Sequence, residues 1–104
     1  MGEKNKVKEK FDKLKAVWKQ DTAHLSNITT ITNHWAYLEI ISLGKEVVPL
    51  MLEDLKTNGP EFWFWALTEL TGYMPPIKHE DRGRIQLISD LWVQWGIDNG
   101  YITG

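Results

Sequence analysis

The chain contains no cysteine. A disulfide framework and every thiolate-based metal or redox site are therefore excluded. Arginine does not occur before residue 82, and serine occurs only at positions 26, 42 and 89. Long apolar runs are missing as well. The longest mainly apolar stretches, Val47–Leu52 and Phe62–Leu67, fall far short of the roughly 20 residues that cross a bilayer. The lysine-rich start is followed by no apolar signal segment, so a cytoplasmic protein without a membrane association is expected. Gly59, Gly72 and Gly83 are isolated from one another, so no glycine-rich phosphate loop is present.

The remaining composition is that of a globular protein. With 104 residues, 42% hydrophobic and 25% charged, one domain spanning 1–104 is expected. Two features stand out. Residues 1–20 hold seven lysines against three acids, a balance of +4, which leaves −6 on the rest of a chain whose net charge is −2. The lysines are interleaved with acids rather than clustered, which favours a solvated or self-docked helix over a nucleic-acid arm. The second feature is six tryptophans, each able to bury a large area in a small core.

Hydrophobic spacing predicts helices throughout. Val7, Phe11, Leu14 and Trp18 form one narrow stripe on a basic amphipathic helix over 1–20. Ser26 is the expected N-cap of a short turn carrying Ile28 and Ile31. A helix over 33–43 presents Trp35, Leu38 and Ile41 with Ile40 beside them, and Gly44 stops it. The next begins near Glu46, tolerates Pro49 in its first turn, and buries Val48, Met51, Leu52 and Leu55 before Asn58-Gly59. Pro60 opens a helix to Thr71 with Trp63, Ala66, Leu67 and Leu70 on one face. After a loop stiffened by Pro75-Pro76, a C-terminal helix over 81–99 carries Ile85, Ile88, Leu91, Trp92 and Trp95. Trp18, Trp35, Trp63, Trp92 and Trp95 are thus all expected in the core. The fold expected is all-α, with about five helices in a compact helical-hairpin array.

The stretch from His34-Trp35-Ala36-Tyr37-Leu38 through Gly44, Val47-Val48-Pro49-Leu50 and Leu55 resembles a HEAT-type unit, and Trp63 through Ala66-Leu67 to Thr71-Gly72 resembles the start of a second, degenerate one. On this resemblance a HEAT-like core unit covers 33–72. The chain also resembles a group of short, uncharacterised bacterial and mobile-element proteins. The residues concerned are His24-Leu25-Ser26, Ala36-Tyr37, Ile40-Ile41, Gly44, Pro49, Trp63, Ala66-Leu67, Thr71-Gly72 and the segment from Trp92 to Gly96. That likeness implies a fold and carries no activity.

Nothing in the sequence assembles a reaction. His24, His34 and His79 have no i, i+4 partner of their own kind, as a helical metal site would need. His79-Glu80-Asp81 suits the start of the C-terminal helix, where acids meet the positive end of the helix dipole. Ser26 lies close to His24, but a cap accounts for it, and no serine sits in a glycine-flanked elbow. Neither Glu61 with Glu69 nor Asp81 with Asp90 is singled out as a catalytic carboxylate pair. A non-enzymatic protein with no cofactor and no metal is expected.

Trp65 breaks the pattern. It lies about 200° from Trp63 around the helix, beside Glu61, Thr68 and Glu69. Phe62 and Phe64 lie between these two sides. A helix apolar nearly all round is normally sandwiched between layers. The alternative is an exposed patch of Phe62, Phe64 and Trp65 rimmed by Glu61 and Glu69, of the composition found at protein-binding hot spots. The leading functional expectation is a small interaction module that binds a protein partner through this surface, and the resemblance to mobile-element proteins implies an antitoxin, immunity or phage counter-defence protein that occludes its target. A nucleic-acid-associated accessory protein using Lys4, Lys8, Lys15 and Lys19 is the first alternative. A self-associating structural protein, with the basic helix of one copy on the acidic body of another, is the second.

Overall fold

The computed structural model describes residues 2–104, with side chains from Lys6 onward. Six α-helices and two 3-10 turns follow one another, and no strand occurs among the described residues. The fold is all-α. Its contacts gather into two units, Met1–Val47 and Val48–Gly104, and this division falls inside the 33–72 segment expected as one HEAT-like unit.

In the first unit, α1 (Gly2–Thr22) packs against α3 (Trp35–Ser42). Phe11 and Trp18 of the expected stripe are buried, and Val7 and Leu14 are half-buried. The Thr22 hydroxyl donates to the Trp18 carbonyl at 2.6 Å and closes the last turn. Between them lies α2 (Ile28–Thr32), a single β-branched turn too short to be stable alone. Its cap is Asn27 rather than Ser26: the Asn27 side-chain oxygen accepts the Thr30 N–H at 3.2 Å, and Ser26 is exposed. The indole N–H of Trp18 donates to the Ile31 carbonyl at 2.8 Å, which ties α2 to α1. Ile31 is buried, whereas Ile28 points to solvent.

The buried face of α3 is rotated from the expected one. Ala36, Tyr37 and Ile40 are fully buried, Ile41 is half-buried, and Trp35 and Leu38 are exposed. Trp35 is therefore not a core residue. Tyr37 takes the inner position, with its ring 5.1 Å from that of Trp18. Gly44, at φ 87°, ends the helix in the left-handed region, and a 3-10 turn over Lys45–Val47 follows.

In the second unit, α4 (Val48–Asn58) contacts both α5 (Phe64–Thr71) and α6 (Ile85–Asp98). The expected face of α4 is buried in full: Val48, Met51, Leu52 and Leu55. Asp54 is buried among them. One carboxylate oxygen accepts the Trp63 indole N–H at 2.8 Å and the other accepts the Asn58 amide at 2.7 Å. Gly96 provides the close approach to α4, since a Cβ there would stand 2.7 Å from Leu52 Cδ1. Ser89, two turns earlier on the same face, is buried, and its hydroxyl makes no hydrogen bond. Expected helix starts at Pro60 and Asp81 shift to Phe64 and Ile85. Glu61 accepts the Trp63 N–H through its own carbonyl in a turn. His79–Asp81 form a separate 3-10 turn before Gly83. Trp95 is half-buried and stacks between Tyr73 and Tyr101, with both centroid distances 5.2 Å.

Candidate interaction surface

The orientation of α5 is set at its first turn. Trp63 is fully buried, and its bond to Asp54 fixes how the helix enters. Ala66 and Leu67 follow it inward. With that face committed, Trp65 turns outward and is 47% exposed. Phe64 and Thr68 flank it, both half-buried.

Gly72 ends α5 at φ 71°, a conformation that glycine adopts without strain. The Thr71 hydroxyl donates to the Leu67 carbonyl and accepts the Tyr73 N–H at 3.2 Å. The chain then returns along α5 through Met74 and the stiff Pro75-Pro76 pair. Phe64, Trp65 and Thr68 of α5, Met74, Pro75 and Ile77 of this loop, and Ile88 and Trp92 of α6 enclose a cleft of about 210 Å³. No charged side chain lines it. Pro75 is buried at its wall, and Met74 is 69% exposed at its mouth. Loop spacing carries no helical period, so only the cluster of Met, Pro and Ile after Gly72 marks these residues as cleft-forming in the sequence.

The residues expected at the patch are unequally placed. Trp65 and Glu69 are exposed one turn apart, whereas Glu61, Phe62 and Phe64 are half-buried. The sandwiched alternative does not describe Trp65. Of the lysines proposed for nucleic acid, Lys8, Lys15 and Lys19 lie on one flank of α1, Lys15 half-buried. Lys8 forms an ion pair with Asp12 at 2.8 Å. The side chain of Lys4 lies outside the described residues.

The polar groups weighed for chemistry are mostly engaged. His34 uses both ring nitrogens, Nδ1 accepting the Ala36 N–H and Nε2 facing Asp21, each at 3.0 Å. His24 and His79 are exposed and apart from it in the chain. The Ser42 hydroxyl donates to the Glu39 carbonyl. Asp81 is bonded by Arg84, and Asp90 by Gln86. Among the described residues no three histidine or acidic side chains converge as a metal site would require. No helix of the described residues is long and apolar enough to cross a membrane. Comparison of the chain with protein-family models, with curated proteins and with solved structures found no match.

Proposed function

We propose that the chain is a small, non-enzymatic interaction module that binds a protein partner through the apolar surface around Trp65. One observation carries this reading: an exposed tryptophan beside an apolar cleft, with a flexible methionine at the mouth. Tryptophan supplies much of the binding energy at hot spots, and methionine adapts to varied apolar shapes. Glu69 beside Trp65 favours a partner with a basic rim. The mechanism would be steric occlusion of the partner. The resemblance to mobile-element proteins suggests an antitoxin, immunity or counter-defence setting in the cytoplasm.

The test compares wild type with Trp65→Ala as tagged baits in the source cell, with captured proteins quantified at low and at 0.5 M salt. The reading expects one stoichiometric protein on the wild type that survives salt and falls at least tenfold on the variant. A tenfold fall corresponds to about 1.4 kcal/mol, within the range of a hot-spot tryptophan. Equal capture by a variant of unchanged Tm would remove Trp65 from the interface. Recovery of nucleic acid that is lost on adding salt would favour the lysine flank of α1 instead. That flank has less support, since Lys8 already has a carboxylate partner.

A further inference from the structure

The cap of α3 is a histidine. His34 has extended backbone angles (φ −61°, ψ 141°) and stands immediately before Trp35, and its Nδ1 accepts the Ala36 N–H at 3.0 Å. A ring nitrogen that accepts a backbone N–H carries no proton. The proton of the neutral ring is therefore on Nε2, which donates to Asp21 Oδ2 at 3.0 Å. Both bonds are satisfied by this single tautomer. Helix caps are usually Ser, Thr, Asn or Asp, none of which gains a charge between pH 5 and 8. Imidazole is the side chain that ordinarily does.

We propose that His34 is a proton-operated cap on α3. Protonation places a hydrogen on Nδ1, so two donors face each other where a donor met an acceptor. The Ala36 N–H loses its partner. The Nε2–H bond to Asp21 is kept and becomes an ion pair, so the charged ring has a place to rest at the end of α1. Asp21 is the charged group that meets the ring, and the other neighbour is the Trp35 ring at 5.6 Å. Tyr37 and Ile40 are fully buried, so the body of α3 stays anchored and the response is confined to the start of its first turn. That turn carries Trp35, which is 58% exposed. The proton is thereby read out as a change in the placement of a large surface aromatic.

Nuclear magnetic resonance of the ¹⁵N-labelled full chain tests this. At pH 8 the His34 ring is expected as the Nε2–H tautomer with Nδ1 unprotonated. On titration to pH 5 the Ala36 amide proton should shift in step with the His34 ring. Its exchange protection, corrected for intrinsic rate, should fall about fivefold, as expected for loss of a cap, while that of Ile40 holds. In His34→Asn the amide side chain still caps but does not charge in this range, and the Ala36 step should vanish. An Nδ1–H tautomer at pH 8 would overturn the proposal. So would unchanged Ala36 protection once the ring is charged, or an Ala36 step that persists in His34→Asn.

Discussion

Asp54 and Ser89 are two buried polar side chains with opposite consequences. The Asp54 carboxylate takes up two donors, the Trp63 indole and the Asn58 amide. Removing it leaves a buried N–H without its acceptor, which costs the full desolvation of that group. Asp54→Ala is expected to destabilise the protein by about 2–3 kcal/mol and to lower Tm by roughly 10–20 °C. Ser89 carries a buried hydroxyl with no partner, and alanine is also the better helix former. Ser89→Ala should therefore raise Tm by a few degrees. A thermal melt of both variants beside the wild type checks the pair, and a stabilised Asp54→Ala would show that the carboxylate is a burden rather than a brace. Asp54 was not singled out in the sequence, although one local signal was there. It falls on the same helical face as Met51 and Leu55, where an acid requires buried partners. Its partner Trp63 was not legible, because the pairing joins two helices and no local period encodes it.

Glycine stops and apolar periods carried most of the element boundaries. Gly44, Gly59, Gly72 and Gly100 all have positive φ, and the four expected inner residues of α4 are the ones buried. The expectation failed for α3 because apolar residues recur on more than one side of this short helix, so spacing alone does not fix which side turns inward. The side that turns inward is the one that sets the Tyr37 ring against Trp18, with Ala36 buried beside it. The start of α6 was placed too early for a local reason: Gly83 interrupts the first turn, and the acids before it close a 3-10 turn of their own. Contact between α4 and α6 depends on Gly96. A methyl group there meets the end of the fully buried Leu52 side chain at 2.7 Å and Ile102 at 3.3 Å, so more than one core side chain must shift. Gly96→Ala gains about 1 kcal/mol of helix propensity, but overpacking of this kind costs about 1–3 kcal/mol. The expected net result is a lower denaturant midpoint with an unchanged m-value, and a cost of Gly96→Ala that disappears when it is measured in a Leu52→Ala background would locate the clash.

Across the whole molecule, large apolar side chains reach solvent in both units: Ile28, Trp35 and Leu38 in the first, Trp65, Met74 and Ile85 in the second. The apolar cleft belongs to the second set. If that cleft surface carries partner binding, Trp35→Ala should retain capture while Trp65→Ala loses it. Thermal melts of both variants accompany the captures, because Trp65 walls the cleft and the Trp35 ring lies 5.6 Å from that of His34, so each truncation also removes packing. Equal losses from the two substitutions would show that capture does not depend on the cleft surface in particular. The aromatic cluster at the C-terminal end of α6 has an optical consequence. The Trp92 and Trp95 rings lie 5.5 Å apart at 81°, and Tyr73 and Tyr101 stack on Trp95. Indoles this close share their electronic excitations, and the resulting pair of circular-dichroism bands overlaps the peptide signal. Ellipticity will therefore misstate the helix content of this chain, and its change on heating will record the separation of four rings as well as the melting of helices.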